Sequence, residues 1–397
     1  MKEKISQKNI ESNLIKFISF LTALLLIIKT YSNSLTTDEA YTYLNYVFTK
    51  DFLNIGIANN HILNSFLMTI TNNFSESVFF MRFPNLVLGI LYLFLVYKHS
   101  VNSNLNFLIY GFLIGSPLFI EYFTLARGYG ISAALNFLGF YLYYFTNLKY
   151  KFIYSVFSLI LSCFSIHIYV IVLIAFLITN SKNEYRKSKF LLLTINIFSS
   201  LTIYIVSKIV FNITEQSKPL YGSEELNINL FLNFFDIVNL YRPKININFI
   251  ISLTFLALVI YSIKYLKHIN FNVLLIFLFL FLLPLVFNRP YPYGRILIPF
   301  LPIFIISFTD VIKNLKKNRK FIIFIKLLNI FLIFNMLSTF SFNSTIDWGH
   351  ELDIELILET DQTGCNYLNQ IYLQGQIYVY EYYRYQNSVN LPFECSS

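Results

Sequence analysis

The feature that most limits how this chain can fold is the repeated return of apolar stretches about 20 residues long, joined by short polar connectors. In hydrocarbon every backbone polar group must be satisfied within the membrane-crossing structure, which makes helices the spanning elements here and excludes open strands. The stretches fall at roughly 14–31, 78–97, 105–123, 128–146, 152–167, 168–180, 190–210, 248–266, 271–287, 295–309 and 321–341. Only 13% of residues are charged and 56% are hydrophobic, whereas soluble domains carry about a quarter charged residues. The expected fold class is therefore an all-α polytopic membrane protein with about 11 transmembrane helices.

Charge sets the orientation. The first apolar run follows Lys2, Lys4 and Lys8; it is long and lacks a small-residue cleavage site, so it reads as a retained helix and not as a signal peptide. The stretch 152–180 could be one long helix. Lys149 and Lys151 before it, and Lys182, Arg186, Lys187 and Lys189 after it, both favour the cytoplasm, so two short crossings are expected. Most Lys and Arg then fall in inner connectors, with the N-terminus cytoplasmic and the C-terminus extracytoplasmic. The formal charge of +9 is accounted for by these connectors and gives no ground for a nucleic-acid partner.

Three outer segments exceed simple turns. The first, 32–77, should hold amphipathic helices along the bilayer, because Leu63, Phe66, Leu67 and Ile70 repeat at helical spacing. The second is 212–247. The third, 342–397, reads as a small extracytoplasmic domain that follows the transmembrane domain, residues 1–341, with strand character from Gln376 to Tyr383. Cys163 reads as buried packing, while Cys365 and Cys395 share the tail, where a disulfide is an open question.

The chemistry-bearing residues gather on the outer face. Asp38 and Glu39 follow the first apolar run directly. A carboxylate at the bilayer edge can take a proton from an acceptor hydroxyl or help hold a metal. Thr36 and Glu39 also fit a capping box, a purely structural role. His61 lies in the same segment and reads either as a ligand-facing group or as an interfacial histidine. One histidine and a carboxylate do not make a metal site. Arg82 sits just inside the second stretch, where charge is costly and tends to be functional or paired. Arg127 and Tyr129 lie between the third and fourth; Arg127 can clamp a phosphate, pair with Glu121 or reach headgroups. Arg289, Tyr293 and Arg295 lie on a proline-stiffened connector, and His167 at the junction of the two short crossings.

Taken in order, these motifs resemble the GT-C superfamily of integral membrane glycosyltransferases, and within it protein O-mannosyltransferases and the aminoarabinose transferase of lipid A. The matching features are the acidic pair Asp38-Glu39, the histidine segment Asn60 to Asn64, Arg82-Phe83-Pro84, the Tyr122 to Tyr129 stretch, and Arg295 entering a proline-containing span. The likeness covers about 32–310; His61-Ile62-Leu63 departs from the His-Pro-Pro of many bacterial members. The resemblance implies a polyprenyl-phosphate-linked monosaccharide donor, a lipid, glycan or protein acceptor, and an inverting transfer on the extracytoplasmic face of a bacterial inner (plasma) membrane. Asp38 and Glu39 would be the catalytic carboxylates. His61, Arg82, Arg127, Tyr129, His167, Arg289, Tyr293 and Arg295 would bind substrate. This reading requires no cofactor and leaves room for a divalent cation. The competing readings are a transporter or flippase, which should show charges in mid-span or paired interrupted helices, and a polysaccharide polymerase or ligase.

Overall fold

The computed structural model describes residues 2–33, 35–51, 53, 60–185, 189–216, 241, 248–264, 268–287, 297–315, 318–340 and 382. Among them there is helix and no strand. We number the α-helices in chain order: α1 (Lys2–Ser32), α2 (Thr37–Thr42), α3 (Ile62–Asn72), α4 (Val78–Asn102), α5 (Phe107–Ile114), α6 (Pro117–Glu121), α7 (Gly128–Phe145), α8 (Lys151–Ser165), α9 (Val170–Tyr185), α10 (Lys189–Gln216), α11 (Asn248–Lys264), α12 (His268–Phe287), α13 (Phe300–Ser307), α14 (Thr309–Leu315) and α15 (Arg319–Thr339). A π-helix, Tyr43–Phe48, extends α2, and a 3-10 turn, His167–Tyr169, joins α8 to α9.

Each apolar stretch contains helix. Four helical segments are long and apolar enough to cross a membrane by themselves: Asn9–Ser32, Val78–Asn102, Leu192–Ile209 and Arg319–Thr339. Shorter apolar helices lie at Lys151–Ser165, His167–Lys182 and Ile269–Leu280. These features are compatible with an integral membrane protein. Large side chains such as Phe17, Phe20, Leu193, Ile197, Phe198 and Leu201 are exposed along helices, an arrangement that suits lipid and not water.

The break expected within 152–180 is present. Ile166 adopts an extended conformation and ends α8. A second break was not expected: 105–123 reads as one stretch yet divides into α5 and α6. Its cause is local, because Pro117 pushes the preceding residue away from helical geometry and lacks an N–H. Ser116 is extended, and its hydroxyl accepts the N–H of Phe119 to cap the new helix. The C-terminal domain expected at 342–397, with Cys365 and Cys395, lies outside the described residues apart from Tyr382, which is helical and not part of the strand expected over 376–383.

The core is built by α4 packing against α1 and α7, with α7 in turn lying on α8. The helices α5 and α15 approach so closely that a Cβ on Gly111 would lie 2.4 Å from the carbonyl oxygen of Asn329. Such small-residue contacts supply the packing that drives helix association in lipid, where apolar burial alone gives nothing. Cys163 is buried in this core.

In the helix α3 the buried residues are Ile62, Asn64, Ser65 and Met68, two of them polar, while Phe66 and Ile70 are exposed. Such an exposed apolar side is suited to lie against acyl chains.

Candidate functional site

The site begins where α1 ends. Thr36 is extended and caps α2: its hydroxyl accepts the N–H of Glu39 at 3.3 Å, and the Glu39 carboxylate accepts the N–H of Thr36 at 3.0 Å. This is the capping box, and it fixes which way each carboxylate faces. Neighbouring helical residues diverge by about 100°. Glu39 consequently points into the protein, while Asp38 stays partly exposed.

Glu39 is fully enclosed and fully engaged. Arg82 of α4 donates to both of its oxygens, Nε to Oε1 at 2.8 Å and Nη2 to Oε2 at 2.6 Å. The backbone N–H of Ala126 also donates to Oε1 at 2.6 Å. Arg82 in turn donates to the carbonyl of Asn33 at 2.7 Å. Burial by itself would raise the Glu39 carboxyl, but the Arg82 charge, the Arg82 hydrogen bonds and the two backbone donors outweigh it and hold the group below the ordinary carboxylate value. Both residues therefore act as a joint between α2, α4 and the 122–127 connector. Both residues, expected to be catalytic and substrate-binding respectively, are wholly buried.

Asp38 faces the other way. Its Oδ2 lies 3.0 Å from Nη2 of Arg127, and the Asp38 side chain is 16% exposed against 1% for Arg127. Glu121 pairs with Lys29 of α1 at 2.5 Å, with both side chains wholly buried. Three ion pairs thus gather where α1 and α6 end and where α2, α4 and α7 begin. Lys29, Arg82 and Glu121 place charge near the ends of three of the apolar stretches. Burial of such charges is tolerated only in close pairs with further hydrogen bonds.

The 122–129 connector is tied from several sides. Asn64 of α3 donates to the carbonyl of Ala126 at 2.9 Å and accepts from Asn85 of α4, also at 2.9 Å. Ser165, at the end of α8, donates to the carbonyl of Gly128 at 2.7 Å. A Cβ at Gly128 would stand 2.4 Å from the Ser165 carbonyl oxygen and 2.9 Å from His61 Cβ and Cγ. Only glycine lets the first outer segment, the connector and α8 meet there. Tyr129 follows, with His61 edge-on at 5.3 Å, Tyr122 at 5.0 Å and the Arg127 guanidinium 6.0 Å from its ring centre.

The structure therefore brings Asp38, Arg127, His61 and Tyr129 into one neighbourhood around Gly128. His167 is buried two residues beyond Ser165, and among the described residues its Nε2 has no hydrogen-bond partner. Arg289, Tyr293 and Arg295 lie outside the described residues. Lys29, Asn85 and Ser165 were not singled out from the sequence, and Asn64 only as the end of the histidine segment. Lys29 had a visible signal, a single charge near the end of the first apolar run. Among the described residues no group of three His, Cys, Asp or Glu side chains could hold a metal ion. Two of the three local carboxylates are neutralised by buried cations and the third faces an arginine, so these donors do not fit a divalent cation.

No family model, curated protein or solved structure matches the chain.

Proposed function

We propose that the chain is a membrane glycosyltransferase that moves a single sugar from a polyprenyl-phosphate donor to an acceptor hydroxyl on its extracytoplasmic face. The observation that carries this reading is the Asp38–Arg127 pair: a part-exposed carboxylate 3.0 Å from a buried guanidinium, on a framework tied from several sides. Fixed charges in a semi-dry site suit a reaction whose leaving group gains negative charge.

In this scheme Asp38 accepts the proton of the acceptor hydroxyl as its oxygen attacks the anomeric carbon. The bond from that carbon to the donor phosphate oxygen breaks, and the phosphate leaves with the bonding pair. Arg127 meets that developing charge, since its planar fork matches phosphate oxygens. Tyr129 lies beside Arg127 with His61 against its ring, and both would contact the sugar or the phosphate. His167, with a buried Nε2 unpartnered among the described residues, is a further polar group for the donor. Arg289, Tyr293 and Arg295 would complete the donor site as the resemblance implies. Inversion at carbon follows from the single displacement. A chain embedded in the membrane of a bacterial cell would meet such lipid-linked donors laterally.

The test is Asp38→Asn in purified full-length protein, assayed for turnover and binding of a panel of polyprenyl-phosphate sugars. General-base catalysis contributes typically 10²–10⁴-fold, so turnover should fall by about that factor with donor binding kept. Undiminished turnover would remove Asp38 from the chemistry. A folded wild type that binds no polyprenyl-phosphate sugar would overturn the glycosyltransferase and favour a transporter.

A further inference from the structure

Tyr382 is the one described residue of 341–397, and it does not stand in solvent. It is 2% exposed. Its hydroxyl donates to the carbonyl of Glu76, just before α4, at 2.8 Å. Its ring meets Tyr43 edge-on, with centroids 5.1 Å apart and an interplanar angle of 87°. Tyr43 is wholly buried and is the first residue of the π-helix that continues the short helix bearing Asp38.

π-Helical geometry is intrinsically unfavourable and persists where tertiary contacts hold it. Within Tyr43–Phe48 the buried residues are Tyr43, Tyr46 and Val47, so the segment is held by its inward side chains. Tyr382 adds an aromatic contact from more than three hundred positions away in the chain, together with a hydrogen bond to the far end of the same outer segment. One side chain thus spans both ends of the loop: Tyr43 after Asp38, and Glu76 before α4.

We propose that the Tyr382 side chain, seated on the Tyr43 ring and the Glu76 carbonyl, is a strap across the two ends of this outer segment. The strap keeps the π-helix formed and thereby fixes the position of Asp38. The proposal concerns the conformation of the loop and does not depend on which reaction Asp38 serves.

Hydrogen–deuterium exchange of the full-length protein in lipid nanodiscs tests it, with Tyr382→Phe and Tyr382→Ala beside the wild type. Losing the buried hydrogen bond in Tyr382→Phe should speed exchange at 43–48 by about threefold to fivefold. Losing the ring in Tyr382→Ala should speed it about tenfold or more, with α7 and α8 unchanged. Equal protection of 43–48 in all three proteins overturns the strap. If Tyr382→Ala loosens the whole molecule, Tyr382→Phe decides, and unchanged exchange at 43–48 in that variant also overturns it. Because the readout needs no substrate, loss of the glycosyltransferase reading and loss of the strap are told apart.

Discussion

Arg82 and Glu39 meet as fork and carboxylate, with Nε and Nη2 each holding one oxygen, and both side chains are wholly buried. Two residues expected to touch substrate are therefore a joint of the fold. Removing one member of such a pair strands the other charge, at a cost of about 3–5 kcal/mol. Arg82→Met and Glu39→Gln should each lower thermal stability in detergent by that order. The double variant should recover much of the loss, because no unpaired charge is left. Additive losses in that double-mutant cycle would contradict the coupling.

The same pair predicts a pH dependence with a definite sign. The folded Glu39 carboxyl sits below its ordinary value, so its ionised form is favoured in the folded protein over the unfolded chain. This contribution is complete at neutral pH and lost as pH falls through the lowered folded value, on the acid side of the ordinary carboxylate range. A melting-temperature profile of the wild type should fall there more steeply than that of Glu39→Gln. Parallel profiles would remove Glu39 as the source.

Gly128 is a packing site where one methyl group is too many. Its missing Cβ would overlap the Ser165 carbonyl and the His61 ring base. Gly128→Ala should cost about 1–3 kcal/mol. The loosening should show first at His61, as a change in its NMR ring signals. A variant with wild-type stability and an unchanged His61 signal would mean that the connector has slack.

Arg127 separates charge from shape. Arg127→Lys keeps a cation near Asp38 but loses the planar fork. With phosphate as its ligand, donor binding should weaken about tenfold, roughly 1.4 kcal/mol, while the protein remains folded. Equal donor affinity in Arg127→Lys would reduce Arg127 to a simple counter-charge for Asp38.

The helical class was legible because period and length act locally. Each apolar stretch contains helix, and the break expected within 152–180 is present at Ile166. The capping box was legible for the same reason, as Thr36 and Glu39 are three residues apart. Partner choice was not legible. Arg127 had Glu121 six residues away, yet it pairs with Asp38, while Glu121 reaches back to Lys29 on the first helix. Long-range pairing follows from which helix ends share one end of the bundle, and nothing in the local spacing encodes that. The division of 105–123 was missed although Gly115-Ser116-Pro117 carries the proper signal, because hydropathy averaged over the stretch outweighs a three-residue interruption.

The outward side of α3 has a mechanical consequence. With Phe66 and Ile70 exposed and Asn64 bonded to the backbone beside Arg127, α3 is moored to the Asp38–Arg127 pair. Any load on that apolar side is passed through Asn64 to the 122–127 connector, and from Arg127 to the Asp38 carboxylate.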